Sequence, residues 1–119
     1  MATLLDSTLE VGGAVVADRL TDRLGITKSQ MAVAFGLSRD AVSKSARLHS
    51  PATQTRLRDV VEILNRIQGW AGSPMMALAW YRSQPLPGFG DRTAEDLVKE
   101  GRAEAVKRHL SRVAAGGYA

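Results

Sequence analysis

The side chains that could do acid–base, nucleophilic or metal chemistry are few and lie far apart in this sequence. His49 and His109 fall in separate segments, and the chain has no cysteine. A metal site needs clustered ligands, and a serine nucleophile needs a positioned base, and neither pattern occurs. Asp18 and Asp22 share a helix face, but they alternate with two arginines, which is typical of a solvated surface. We therefore expect no enzymatic activity, no bound metal and no cofactor.

Composition indicates a globular protein that works by binding. A chain of 119 residues can bury enough surface to fold without disulfides, and its 45% hydrophobic and 24% charged residues are ordinary for a folded domain. No run approaches the roughly 18 apolar residues of a membrane span, and no secretion signal is visible. We expect a cytoplasmic protein without membrane contact. The net charge of +4 permits nucleic-acid binding without establishing it.

The elements that must position any binding site are predicted to be helices, since no alternating strand pattern exceeds three residues. Val16, Leu20 and Leu24 recur one turn apart and predict a helix that Gly25 ends. The strongest amphipathic stripe consists of Leu57, Val60, Val61, Leu64 and Ile67. The predicted helices cover 11–24, 28–35, 39–47, 51–68, 75–82, 94–99 and 103–113.

Short polar residues mark where several of these helices begin. Thr27, Ser38 and Thr93 each stand one residue before a predicted helix, where a hydroxyl caps free backbone N–H groups. Ser73 and Pro74 form another helix start, because proline lacks the N–H that a first turn leaves unpaired. A break over 69–73 suggests a boundary near residue 70.

The segment 27–43 predicts a helix-turn-helix. Ala32 is small where two helices would cross, and Gly36 stands where a tight turn needs positive φ. Ser38 caps the second helix, and Val42 faces the core together with Met31, Phe35 and Leu37. The spacing of the small residue, the glycine and the β-branched residue resembles the helix-turn-helix of Xre/Cro-like repressors.

Charge supports DNA contact by this segment. Residues 27–58 carry six basic side chains and one acidic one, a net charge of +5, whereas residues 1–26 carry −2. Base-edge candidates are Arg39, Asp40, Ser43 and Lys44, and phosphate candidates are Lys28, Arg47 and Arg56. Ser38 completes the predicted DNA-binding set. An acidic residue on such a helix repels phosphate, although it can accept from cytosine. The alternative is that these cations only solvate one face of a helical bundle.

The second half carries a different resemblance. Its features are a tryptophan, a loop with glycine, the helix start Thr93-Ala94-Glu95-Asp96-Leu97-Val98, then Gly101, and a helix ending near Gly116. This order and spacing resembles the toxin-binding domain of Xre/MbcA/ParS antitoxins. Ala94 departs from the proline usual in that family, which a capped first turn tolerates. The two resemblances imply an all-α small helical bundle, with a helix-turn-helix domain over 1–69 and a toxin-binding domain over 70–119.

The resemblance further implies an antitoxin of a type II toxin–antitoxin system. Its usual partner is a RES-domain toxin, which consumes NAD or uses it for ADP-ribosylation. In the family the C-terminal region of the antitoxin covers the NAD pocket of the toxin, and the pair represses its own promoter. Operator DNA, a homodimer and a larger complex with the toxin are implied in the same way.

Candidate toxin contacts follow from residue type within the second half. The predicted set is Phe89, Arg102, Arg108, Arg112, Gly116, Gly117, Tyr118 and Ala119, and Lys107 is a further cation near it. A Gly-Gly end could enter a cleft, and Tyr118 would supply an aromatic anchor. The alternative for the tail is disorder. We expect Trp80 to pack in the core. Phe89 fits a position in the core or in the toxin interface equally well.

Two other functions remain open at this point. The chain could be a stand-alone Xre-type transcriptional repressor whose second half only dimerises. It could also be a pure inhibitor in which the helix-turn-helix no longer binds DNA. Whether the adjacent reading frame encodes a RES-like domain separates the first of these from an antitoxin.

Overall fold

A computed structural model of the protein describes residues 14–115 and contains eight helices in that range. They are α1 (Ala17–Leu24), α2 (Lys28–Phe35), α3 (Arg39–Ser43), α4 (Ser45–Leu48), α5 (Pro51–Ala71), α6 (Pro74–Ser83), α7 (Ala94–Lys99) and α8 (Ala103–Ala114). An isolated antiparallel bridge pairs Pro85 with Thr93. The predicted all-α class is confirmed. Each helix of the described range is too short or too polar to cross a lipid bilayer.

Four helix starts agree with their capping signals. The hydroxyls of Thr27, Ser38, Ser73 and Thr93 each accept from the backbone N–H three residues later. At Thr27 and Thr93 the bond is reciprocal, because the side chains of Gln30 and Asp96 return to the N-cap backbone. These starts depend only on neighbours in sequence, which is why sequence alone predicts them.

The first helix begins later than its apolar stripe predicted. Val16 is the extended N-cap of α1 rather than part of its stripe, and helical structure starts at Ala17. Before it, the Val15 N–H donates to Gln54 Oε1 at 2.8 Å, and Gln54 Nε2 donates to the Val15 carbonyl at 3.3 Å. These bonds to α5 hold the backbone extended in place of a first helical turn.

The predicted helix over 39–47 is also divided. Lys44 has φ −107° and ψ 122°, which ends α3 after Ser43, and α4 begins at Ser45. The segment expected to face DNA is therefore a five-residue helix followed by a second short one. A non-helical Lys44 turns the chain toward α5, against which α4 packs.

The long helix α5 is the central support of the fold. Ser50 caps it, and its stripe residues Leu57, Val60, Val61, Leu64 and Ile67 are buried in the core of the single chain. The helix continues through Gly69, Trp70 and Ala71 and ends at Gly72, so the predicted break begins three residues later than expected. It contacts α2 and α4, which precede it in the chain, and α6 and α8, which follow it.

One hydrophobic cluster joins the two halves of the chain. Its buried members include Phe35 from α2, Leu64 from α5, Tyr81 from α6 and Leu97 from α7. Helix α7 also packs against α2. The division into domains 1–69 and 70–119 stays a prediction, and the packing makes the halves share one core.

Candidate functional site

Helices α2 and α3 are joined by a three-residue turn. Gly36 has φ +69° and ends α2, and the Leu37 N–H donates to the Ala32 carbonyl at 2.9 Å. Met31, Phe35 and Val42 are buried, as predicted, and Leu37 is packed at the edge of the core. Buried contacts thus fix α3 against α2 and leave its opposite face to solvent.

The predicted DNA-binding side chains all lie at the surface. Lys28, Ser38, Arg39, Asp40, Ser43, Lys44 and Arg47 are exposed. We call Arg39, Asp40, Ser43, Lys44 and Arg47 the α3 face. Arg39 forms no ion pair with any residue of the described range. The Ser43 hydroxyl donates to the Arg39 carbonyl at 2.9 Å, so its proton is used within α3.

The acidic residue of the α3 face is compensated by its neighbours. Arg47 Nη1 lies 3.1 Å from Asp40 Oδ2, and Lys44 Nζ lies 3.9 Å from the same oxygen. The repulsion that Asp40 would exert on a phosphate is therefore reduced by two adjacent cations. Lys28, the remaining phosphate candidate on α2, pairs with Asp18 at 2.9 Å.

The guanidinium of Arg56 is hydrogen-bonded within the protein. Its Nη1 donates to the carbonyls of Phe35 and Gly36, at 2.9 and 3.3 Å. Those carbonyls belong to the end of α2, where helix geometry leaves acceptors unpaired. The bond stabilises the turn between α2 and α3, and it accounts for Arg56 without a phosphate.

The predicted toxin contacts Phe89 and Arg102 come together in the second half. The Arg102 guanidinium carbon lies 5.5 Å from the centre of the half-buried Phe89 ring, and the ring of His109 meets Phe89 edge-on at 6.2 Å. Burial lowers the pKa of His109, and the nearby charge of Arg112 lowers it further. Sequence reasoning set His109 aside as an isolated histidine and missed this aromatic contact.

Helix α8 presents its other predicted contacts along a groove shared with α5. Arg108 and Arg112 are exposed and line an open groove of about 480 Å³ together with Arg66. Arg66 Nη1 donates to the Lys107 carbonyl and to the Ser111 hydroxyl, at 3.0 and 2.7 Å. The groove thus has a basic end formed by three arginines.

Lys107 does not belong to that exposed basic end. Its Nζ lies 2.7 Å from Asp59, 2.9 Å from Glu62 and 3.2 Å from Glu104, and its side chain is only 14% exposed. Burial disfavours the charged ammonium, but the three carboxylates outweigh it and raise the pKa of Lys107. The residue links α8 to α5 through these ion pairs, and its contact with a toxin stays a prediction.

Gly116, Gly117, Tyr118 and Ala119, the predicted tail contacts, lie outside the described residues. Trp80, expected in the core, is half-buried and packs edge-to-face on Trp70, with ring centres 5.6 Å apart. Within 14–115, no three histidine or acidic side chains are grouped so that they could hold a metal ion.

An apolar surface on α6 was not predicted from sequence. Met75 and Met76 are 60% and 59% exposed. Among the large hydrophobic side chains of the described range, Val33 is similarly exposed, at 59%. Sequence alone favours core positions for such residues, since it does not say which face of α6 is covered. The available signal was the absence of any charge from Pro74 to Tyr81.

Comparison with known proteins assigns the second half. Residues 70–116 match the family described as the antitoxin Xre/MbcA/ParS C-terminal toxin-binding domain. No curated protein and no solved structure gave a match. The match begins at Trp70 and takes in α6, α7, α8 and the loop that carries Phe89. Over these residues the chain carries a domain similar to the toxin-binding domain of the Xre/MbcA/ParS antitoxins.

Proposed function

We propose that the protein neutralises a RES-domain toxin and represses its own operon. The observation that carries the proposal is the toxin-binding domain at residues 70–116, which gives the chain an antitoxin role. The identity of the toxin as a RES-domain protein, which consumes NAD or uses it for ADP-ribosylation, comes from the resemblance to Xre-linked antitoxins. In this proposal the chain acts by binding and performs no reaction itself.

Neutralisation would occur by covering the NAD pocket of the toxin with the C-terminal region. The basic end of the α5–α8 groove supports this, because Arg108 and Arg112 are exposed at the end of α8 that leads into the tail. The tail would carry Tyr118 into the pocket, where an aromatic ring with a polar tip can anchor it.

Repression would use α2 and α3 as a helix-turn-helix. The three-residue turn and the exposed α3 face support DNA contact, as does Arg39, which forms no ion pair within residues 14–115. Helix-turn-helix proteins usually bind paired half-sites as dimers, so a homodimer within a larger complex with the toxin is part of the proposal. Such a complex would act in the cytoplasm.

Co-expression with the protein encoded by the adjacent reading frame tests the proposal. The full chain should restore growth of cells in which that neighbour is toxic, and the two proteins should co-purify. A chain that neither rescues growth nor co-purifies with its neighbour would contradict the antitoxin function.

A truncation separates the tail from the rest of the mechanism. Removal of residues 116–119 should restore toxicity if the tail covers the NAD pocket, while co-purification should persist through the rest of the domain. Full neutralisation by the truncated chain would refute the covering of the pocket by the tail and would leave the antitoxin role intact.

A stand-alone repressor with a C-terminal dimerisation domain is the second candidate. The exposed apolar surface of α6 favours it to the extent that such a surface can also join two copies. An operator complex that forms normally, from a chain without affinity for its neighbour, would support this candidate.

A further inference from the structure

Helix α6 carries an exposed surface without charge. Its buried side consists of Ala77, Leu78 and Tyr81, and its outward side consists of Met75, Met76 and Ala79, with Trp80 half-exposed beside them. The first charged residue of the helix is Arg82, which is held by Glu95 at 3.3 Å. We call Met75, Met76, Ala79 and Trp80 the α6 apolar face.

The α6 apolar face is held in place by what lies beneath it. Ser73 caps the helix and Pro74 opens it, and Trp80 is fixed against Trp70 at the end of α5. The side chain of Met75 lies along Gly25, where an added Cβ would come within 3.1 Å of its terminal methyl. The face is therefore a formed surface whose methionine ends remain adaptable.

An exposed cluster of this kind is costly unless a partner covers it. Each methionine exposes about 60% of its surface. Charged residues make up 24% of the chain, yet none lies on this face. The centres of protein interfaces are enriched in Met and Trp and depleted of charge, which is the composition of this face. It also lies within residues 70–116, the domain that binds the toxin.

We propose that the toxin docks on the α6 apolar face, through an uncharged hydrophobic patch of its own. The inference rests on the antitoxin function and assigns to α6 a contact separate from the basic groove and the tail. The apolar contact supplies affinity through burial, whereas the arginines of α8 supply charge complementarity.

Substitution of both methionines by glutamate tests the surface. Met75 and Met76 occupy the first turn of α6, where an acidic residue is favourable, so Met75→Glu/Met76→Glu should fold normally. Titration of the purified full-length chain with the purified neighbour-encoded protein should show at least 30-fold weaker binding. Val33→Glu is the matched control, because Val33 is equally exposed on α2, outside the domain, and should change affinity less than twofold.

A milder variant guards against misfolding. Met76→Gln removes apolar surface without adding charge and should weaken binding about three- to tenfold, with an unchanged circular dichroism spectrum. Unaltered affinity in a folded double variant overturns the inference. If the variant changes only the oligomeric state of the free chain, the face joins two copies and the inference is also overturned.

Oxidation of methionine provides a measurement on the unaltered protein. Dilute peroxide should oxidise Met75 and Met76 in the free chain and spare Met31, which is fully buried and serves as the internal control. Addition of the neighbour-encoded protein should slow oxidation of both at least fivefold. Equal rates with and without it overturn the docking surface, and absence of any complex overturns the antitoxin function itself.

Discussion

The hydroxyl of Tyr81 donates a hydrogen bond of 2.8 Å to the carbonyl of Ala34, in the buried space between α6 and α2. The Tyr81 ring also meets Phe35 edge-on, with ring centres 6.4 Å apart. Tyr81 belongs to the toxin-binding domain, and Ala34 belongs to the first helix of the candidate helix-turn-helix. The Ala34 carbonyl, in the last turn of that helix, therefore receives its side-chain hydrogen bond from the toxin-binding domain.

Tyr81→Phe should lower the free energy of unfolding by about 1–2 kcal/mol, because the Ala34 carbonyl loses its donor while it stays buried. Urea unfolding at pH 7 measures the effect. The control is Ser83→Ala, which removes an exposed hydroxyl bond to the Ala79 carbonyl and should cost under about 0.5 kcal/mol. Equal losses in the two variants would contradict the importance of the buried bond.

The same tyrosine predicts alkaline sensitivity. Burial, reinforced by the negative charge of Glu95, raises the pKa of Tyr81 above its ordinary value of 10.0. Since the pKa is higher in the folded state, this contribution is complete below pH 10 and is lost as the pH rises above it. Unfolding measured from pH 8 to 11 should show the loss in wild type, and Tyr81→Phe should lack that component.

Gly36→Ala should destabilise the protein by about 1–3 kcal/mol. The position has φ +69°, and a Cβ there would lie 2.7 Å from Arg56 Nη1 and 3.4 Å from the Lys99 backbone. Gly69→Ala is the control, because Gly69 is helical with open space around it and should gain about 0.5–1 kcal/mol. Thermal unfolding distinguishes the two, and a stabilising Gly36→Ala would contradict the tight turn.

Lys107→Met should cost about 1–3 kcal/mol of stability, because Asp59, Glu62 and Glu104 lose their shared cation. Arg108→Met, one residue away on the exposed side of α8, should change stability by less than about 0.5 kcal/mol. Urea unfolding at pH 7 compares them. A larger effect at Arg108 would show that the ion pairs of Lys107 do not hold α8 on α5.

His109 should make stability decline under mildly acidic conditions. Its pKa in the folded protein is below 6.5, so the unfolded chain binds the proton more tightly and stability falls as the pH drops below about 6.5. Unfolding at pH 5 and pH 7.5 measures the slope, which His109→Gln should reduce. An unchanged slope would place the acid sensitivity elsewhere.

DNA binding should depend on the α3 face. Arg39→Ala/Lys44→Ala should weaken binding to DNA from the promoter of its own operon and lower the salt dependence by about one to two counterions. Arg108→Ala/Arg112→Ala removes the same charge from α8 and should leave DNA affinity nearly unchanged while it weakens binding of the toxin. Fluorescence anisotropy at several salt concentrations measures both variants. Equal losses of DNA affinity would indicate a nonspecific effect of net charge.

The sequence by itself determined the features that depend on near neighbours. Capping by Thr27 and Thr93 and the turn at Gly36 follow from contacts within a few residues, so they were predicted correctly. The apolar spacing along α5 also predicted that helix. The likeness to the toxin-binding domain was also visible in sequence, because it consists of short motifs in a fixed order. The DNA-facing residues and the tail contacts stay predictions.

Only the tertiary structure decided which side chains are bound to other parts of the protein and which remain exposed to solvent. Gln54 bonds to the chain before α1, Arg56 is bound to the end of α2, and Lys107 is held by Asp59 and Glu62 of α5, all partners distant in sequence. Met75 and Met76, by contrast, remain about 60% exposed. Periodicity gives the two sides of a helix, but burial depends on which other helices arrive there, and that is fixed by packing of the whole chain.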